Sequence, residues 1–213
     1  MSKTPPIHSQ ADTGPDGRMY APAAARNLGP IADVVAAHAP DSGEALEIAS
    51  GTGEHVAALA RRLPGLTWQP SDPAPERRRS IDAHAQGAPN IKPAIDLDAT
   101  APGWSATLGG KDLILLVNLL HLIPEPAAKT LIAEVAQALA PGGRFVLYGP
   151  FLRDGETTSQ GDADFDAALR AQNPAIGYKD DWDVIDWIHE NWLELVQVLE
   201  MPANNMCFIA RKP

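Results

Sequence analysis

A single cysteine, Cys207, stands among 213 residues, which excludes an internal disulfide and a zinc site built on several thiolates. We place it as a small apolar residue within a strand. Long apolar runs are missing too: the longest, Leu113 to Leu120, is broken by Asn118 and is far too short to cross a bilayer. Nothing near Met1 has the apolar core of a secretion signal, so the expectation is a soluble protein of a reducing compartment, the cytoplasm, with no membrane partner. Positive charge is scarce, since 17 Lys and Arg face 27 Asp and Glu, leaving a formal charge of −10. That is the wrong sign for gripping a phosphate backbone, and nucleic acid is not expected as a partner. The one basic cluster, Arg77-Arg78-Arg79, reads as a solvated helix face. His8, His38, His84 and His189 lack metal-ligand spacing and read as surface residues. Asp162-x-Asp164-x-Asp166 lacks the glycine and closing glutamate of a calcium loop, so no metal is expected, and these carboxylates are placed near a helix N-terminus. Internal repeats and low-complexity tracts are absent.

What is present suits one globular domain: 45% of the residues are hydrophobic, enough for a sizeable core. Met1 to Arg18 is polar and rich in Pro and Gly, so we expect a flexible N-terminal segment over 1–18 and a single domain over 19–213. Apolar runs alternate with helical patterns, the mark of a parallel sheet with helices on both faces. Strands are expected near Ala45–Ala49, Thr67–Pro70, Ile91–Ile95, Leu113–Val117 and Arg144–Tyr148. Helices are expected near Ile31–Ala39, Glu54–Leu63, Glu76–Ala85 and Ala127–Ala140. Beyond Pro150, Phe151 to Gly161 reads as a loop. Phe165–Gln172 and Asp181–Asn191 read as helices, the second with Trp182, Ile185, Ile188 and Trp192 on one side. Leu193–Met201 and Met206–Arg211, joined by Pro202-Ala203-Asn204-Asn205, form an antiparallel hairpin.

The densest signal lies at Ala45 to His55, where a short apolar run ends in Ser50-Gly51-Thr52-Gly53 and passes directly into a helix. Glycines there let the backbone approach a ligand without Cβ interference. About twenty positions on, Leu66 to Asp72 ends in the carboxylate that a nucleotide-binding strand-helix-strand unit delivers to a ribose. A dinucleotide fingerprint would place a third glycine where Val56 stands. Glu54 also puts negative charge at the positive end of the helix, where a pyrophosphate would sit. A cofactor without phosphates fits better.

Glu47-x-Ala49-x-Gly51-x-Gly53 resembles motif I of the class I S-adenosylmethionine-dependent methyltransferases. The stretches Leu46–His55, Trp68–Asp72, Asn118-x-x-His121, Phe165-Asp166-x-x-Leu169-Arg170 and Met201–Asn205 are together similar to the methyltransferase-like 26 group, over a span from about Tyr20 to the C-terminus. The resemblance implies a seven-stranded, mostly parallel, Rossmann-like α/β sheet closed by the C-terminal antiparallel hairpin, with the last strand inserted between strands 5 and 6. It implies S-adenosylmethionine as cofactor, held by Glu47, Ser50, Gly51, Thr52, Gly53, Asp72, Asp98, Ala99 and Asn118. In that family the motif I acid meets the cofactor's amino-acid end, the acid after the second strand holds the ribose, and the Leu97-Asp98-Ala99 segment meets the adenine. One departure is Gly177-Tyr178-Lys179-Asp180, which stands where a Gly-Ile-Arg-Asp-like segment is expected and leaves Lys179 without an assigned role.

Open α/β sheets bind ligands beyond the carboxyl ends of their strands where strand order reverses, which collects these positions at one edge. Methyl transfer from a sulfonium mainly requires in-line approach, with a base useful when the acceptor starts protonated. His121, three residues past Asn118, is the candidate base, against the alternative that it packs at the strand exit. His55, in the first turn after motif I, reads as a packing or polar-contact residue. Tyr20, Arg26, Asn27, Tyr148 and Phe165 are the candidate acceptor contacts, with Arg26 pairing an anionic acceptor or the cofactor's carboxylate. Asn204-Asn205 reads first as a tight turn, with the alternative that it faces the site from the hairpin. The expected activity is methylation of a small-molecule acceptor. A cofactor-binding sensor or assembly protein without turnover is the alternative, and a nicotinamide reductase is disfavoured by Val56. Oligomeric state is not readable.

Overall fold

The computed structural model describes residues 11–213; His8 and most of the expected flexible segment lie outside the described residues. In chain order the elements are β1 (Asp12–Thr13), β2 (Met19–Tyr20), α1 (Pro22–His38), β3 (Gly43–Ile48), α2 (Glu54–Arg62), β4 (Leu66–Pro70), α3 (Pro75–His84), α4 (Ser105–Leu108) and β5 (Lys111–Val117). A 3-10 turn at Leu120–Leu122 follows, then α5 (Glu125–Ala138), β6 (Leu139–Pro150), α6 (Gln160–Gln172), α7 (Asp181–Glu190), β7 (Glu194–Met201) and β8 (Asn205–Arg211).

The central sheet has the order β4-β3-β5-β6-β8-β7. Its first four strands are mutually parallel, and β8 runs antiparallel to both neighbours, so the last strand is indeed inserted between the final parallel strand, β6, and its hairpin partner β7. Buried strands alternate their side chains between two cores because successive Cβ atoms point to opposite faces. Ile114 and Leu116 of β5 join Leu131, Ile132 and Trp187 on the α5 and α7 face. Leu113 and Leu115 join Ile31, Val35, Val56 and Leu59 on the α1 and α2 face, together with Cys207. The chain leaves β3 toward β4, then returns to lay β5 on the other side of β3. That reversal opens a crevice at the carboxyl ends of β3 and β5.

Four expectations need correction. Among the described residues the sheet holds six strands, not seven, because Ile91–Ile95 makes only two isolated bridges, Trp68 to Ile91 and Ser71 to Ile95. Pro93 between them offers no N–H and a fixed φ, which interrupts a ladder. α1 begins at Pro22, nine residues before the expected start, and runs through Pro30. Pro22 suits the first helical position, and the Ala-rich turn after it favours helix despite lacking an apolar stripe. In α7 the buried residues are Val184, Trp187 and Ile188, whereas Trp182 and Trp192 are exposed. Arg77-Arg78-Arg79 is more than a solvated face, since Arg78 donates to the carbonyls of Asp72 and Pro73 and pairs with Asp96.

Where a loose tail is expected before Tyr20, β1 and β2 pair as a small hairpin tied to α3. The Met19 amide donates to Ser80 Oγ at 2.7 Å, and Arg18 Nε donates to the Ala83 carbonyl at 3.0 Å. This anchor delivers the start of α1 to the sheet edge.

Candidate functional site

The loop after β3 is built by backbone conformations that side chains rarely adopt. Ala49, Gly51 and Gly53 have φ of 53°, 58° and 92°. Ala49 thus sits in the left-handed region, a position of local strain for a residue with a Cβ. The loop is stitched to the end of β4, where the Ser50 amide donates to the Ser71 carbonyl and Ser71 Oγ donates to the Glu47 carbonyl, both at 2.8 Å. Asp72 completes the seam, its two carboxylate oxygens accepting from the amides of Gly51 (3.0 Å) and Ala74 (2.9 Å). Each oxygen keeps a second lone pair for a ligand hydroxyl. Burial raises the Asp72 pKa against the pull of those two amides.

Glu47 lies at the bottom of this seam, 2% exposed, with Oε2 lacking any hydrogen-bond partner. Burial pushes its carboxyl up to about 8. A buried polar atom without a partner costs roughly 1–3 kcal/mol, so it marks a place where a ligand donor belongs. Glu47, Ser50, Gly51, Thr52, Asp72, Asp98, Ala99 and Asn118 all line one cavity of about 710 Å³. Ala21, which caps α1, and Ala23 and Ala24 in its first turn contribute to the same cavity, with Leu122 and Ile123 at the end of the 3-10 turn. Glu54, the acidic residue in the first turn of α2, ties this loop to the start of α1: its Oε2 accepts from Thr52 Oγ1 and the Ala21 amide, both at 2.8 Å.

A second cavity of about 440 Å³ abuts the first, and Ala23, Asn118 and Leu122 line both. Asn118 has φ 57°, and its amide donates to the Tyr148 carbonyl at 2.9 Å, which fixes the exit of β5 between the two spaces. Arg26, Asn27, His121, Tyr148 and Phe165 line the second cavity. Its wall is aromatic: the His121 ring lies 5.9 Å from Phe165 and 6.1 Å from Tyr178, and Phe165 and Tyr178 lie 6.1 Å apart. A polar link joins the cavities through α1. His55, facing the first cavity, donates from Nε2 to Asn27 Oδ1 at 2.9 Å, and burial holds His55 neutral with a pKa of about 4. Burial raises the Tyr148 hydroxyl while Asn27 opposes that rise.

Two predicted contacts stand apart from both cavities. Gly53 is packed against α3, where a Cβ would come within 2.7 Å of Ile81 Cα, so its role is helix packing. Tyr20 is 45% exposed with its ring edge-on to His84, and it belongs to the N-terminal anchor. His84, expected on the surface, bonds the Met19 carbonyl at 2.9 Å.

Two further lining residues, Tyr178 and Asp162, had no expected place at the site, while Asn205 takes the site-facing position that stood as the alternative to a plain turn. Asp162, Tyr178 and Asn205 enter the second cavity from α6, the loop after it and the hairpin, respectively. Asp162 Oδ2 accepts from Thr158, Ser159 and Asn204, and Oδ1 from the Tyr178 hydroxyl at 3.4 Å. Ala203 and Asn204 both take positive φ, 56° and 59°, so the hairpin turn reading of Asn204 stands while Asn205 also reaches the cavity. Lys179 has a structural role. Its buried Nζ donates to the carbonyls of Ile123 (2.9 Å) and Gly177 (2.8 Å), and burial lowers it to about 8. The Gly177 amide in turn donates to the His121 carbonyl at 3.0 Å, so this segment holds the turn that carries His121. Among the described residues no group of three or more His, Cys, Asp and Glu is arranged to hold a metal ion.

The sheet order, the crevice and the inserted last strand make this a mostly parallel Rossmann-like α/β fold, like that of the methyltransferase structures it resembles. Residues 18–212 match the family described as "Protein of unknown function (DUF938)", and the chain belongs to that family. Among solved structures, it is similar to an O-methyltransferase family protein from Burkholderia thailandensis, with a TM-score of 0.73 and 21% identity over 89% of this chain and 57% of that one. It is similar to human N-acetylserotonin methyltransferase in complex with S-adenosylmethionine, with a TM-score of 0.74 and 15% identity over 89% and 52% of the two chains. An O-methyltransferase family 2 protein from Planctomyces limnophilus matches with a TM-score of 0.73 and 23% identity over 90% and 58%. The chain thus spans a little over half the length of these structures, and the likeness bears on the fold.

Proposed function

We propose that this protein is an S-adenosylmethionine-dependent methyltransferase acting on a small molecule. One observation carries the reading: a cavity lined by a partnerless buried Glu47 carboxyl and by Asp72 opens beside a second, aromatic cavity, with Asn118 between them. The residues present fit the cofactor. Glu47 faces the place for an ammonium, Asp72 has lone pairs for two ribose hydroxyls, and Leu97-Asp98-Ala99 lines the place for a base. When bound, the cofactor supplies a methyl group on a sulfonium, whose departure leaves a neutral thioether. The chain's own contribution is to hold the acceptor against Asn118 and to exclude water with Leu122, Ile123 and the start of α1. His121, 5% exposed in the second cavity's wall, is the base for an acceptor that starts protonated. The similar folds are O-methyltransferases by name, and we assign oxygen as the accepting atom. We place the chain beside the methyltransferase-like 26 group, and its habitat in the cytoplasm; no helix among the described residues is long and apolar enough to cross a membrane.

Calorimetric titration with S-adenosylhomocysteine tests the reading. We expect saturable binding that Asp72→Ala weakens by about 1.5–3 kcal/mol, roughly tenfold to over a hundredfold, through loss of charged hydrogen bonds to the ribose. An unchanged dissociation constant in the variant would remove Asp72 from the site. Tight NADH binding with none of S-adenosylhomocysteine would overturn the assignment altogether.

A further inference from the structure

The second cavity carries a charge pattern that the methyl-transfer reading does not use. Among its described lining residues, Arg26 and Asp162 bear fixed charges, and they are not equivalent. Asp162 is committed: Thr158, Ser159, Asn204 and Tyr178 all donate to its carboxylate, and together they hold it below the usual carboxylate range despite desolvation. Arg26, exposed at the cavity wall, has no hydrogen-bond or ion-pair partner among the described residues. A charge entering this space therefore meets a satisfied anion and an open cation. The planar, forked guanidinium matches a carboxylate in two-point fashion. The rings of His121, Phe165 and Tyr178, about 6 Å apart and tilted or edge-on to one another, form a wall suited to the face or edge of another ring.

Spacing along α1 narrows the ligand. Ala23 lines both cavities, so the accepting atom belongs near it, whereas Arg26 lines only the second. Arg26 lies three residues on, which on an α-helix is about 4.5 Å along the axis. We infer that the acceptor is a hydroxylated aromatic carboxylate whose acid group pairs with Arg26 and whose hydroxyl lies meta or para to it, at the Asn118 end. An ortho hydroxyl is too close to its carboxylate to serve both places. The net charge of −10 does not oppose this, because fields from distant surface charges are screened beyond about 8–10 Å while the Arg26 contact is direct.

This inference rests on the methyl-transfer reading, and binding measurements separate the two. Protein saturated with S-adenosylhomocysteine is titrated calorimetrically with 3-hydroxybenzoate, 4-hydroxybenzoate, salicylate and the neutral 4-hydroxybenzamide. We expect the meta and para acids to bind about five- to tenfold tighter than the amide or salicylate. Arg26→Gln should abolish that preference and Arg26→Lys should retain part of it, with S-adenosylhomocysteine titration of each variant reporting that the first cavity is intact. Equal affinity for acid and amide, a preference that survives Arg26→Gln, or no binding by any of the four would overturn the substrate class while cofactor binding stands. Failure of S-adenosylhomocysteine to bind the wild type would overturn the methyl-transfer reading and this inference with it.

Discussion

Glu47 couples the free protein's stability to the site's chemistry. Its carboxyl is buried beneath the β3 loop, and burial lifts it from the ordinary 4.5 to about 8, against the opposing hydrogen bond from Ser50. The folded protein therefore holds this proton more tightly than the unfolded chain does. The contribution to stability is complete below about pH 4.5 and is lost as pH rises toward 8. Glu47→Gln keeps the shape and removes the ionisation. We expect its melting temperature, relative to wild type, to climb between pH 5 and pH 8 in the absence of ligand, while its affinity for S-adenosylhomocysteine falls. Parallel melting curves across that range would show that Glu47 is not the proton-holding group. Destabilising the free protein with a residue that the ligand satisfies is a recognised cost of a prepared binding site.

At the scale of the element, the turn from β3 into α2 separates two glycines that look alike in sequence. Gly53 has φ 92° and faces Ile81 so closely that a Cβ would sit 2.7 Å from its Cα. Gly51, at φ 58°, has only the Ala49 carbonyl at 3.9 Å and otherwise faces open space in the first cavity. We expect Gly53→Ala to cost about 2 kcal/mol or more in urea unfolding, since strain and a backbone clash add. Gly51→Ala should cost about 1 kcal/mol and weaken cofactor binding more than its stability loss explains. Equal stability losses would erase the distinction between a packing glycine and a ligand-facing one. Sequence pattern alone does not reach this far. Buried strands such as β5 and β6 announce themselves as apolar runs, and the β3 loop, Asp72 and Asn118 follow from the topology those strands dictate. Most of the predicted cofactor contacts meet in one cavity for that reason. Tyr178 and Asp162 were illegible as site residues because α6 and the loop after it bring them in from afar, with no local spacing to betray them. Tyr20 misled because proximity in sequence to α1 does not reveal that the hairpin turns its ring toward His84.

At the scale of the molecule, the first cavity is an assembly of distant chain segments: the start of α1, the β3–α2 loop, the β4 exit, residues 97–100 and the β5 exit. None of these forms a site in the unfolded chain, so a ligand that fills the cavity binds only the folded state. Mass action then fixes the size of the effect. At one hundred times its dissociation constant such a ligand adds about 2.7 kcal/mol of stability. For a domain of this length each kcal/mol corresponds to roughly 2–4 °C, so S-adenosylhomocysteine should raise the melting temperature by about 5–10 °C. NADH at the same concentration should leave it unchanged, because Glu54 puts a negative charge in the first turn of the helix that a pyrophosphate needs and Val56, fully buried, stands where a third glycine would allow close approach. An equal rise with both compounds would mean that the crevice does not discriminate against phosphate, and the cofactor assignment would lose its physical basis. Hydrogen exchange sharpens the same test: protection gained on binding should concentrate in the start of α1 and the β3–α2 loop, and leave the β7 edge unaltered.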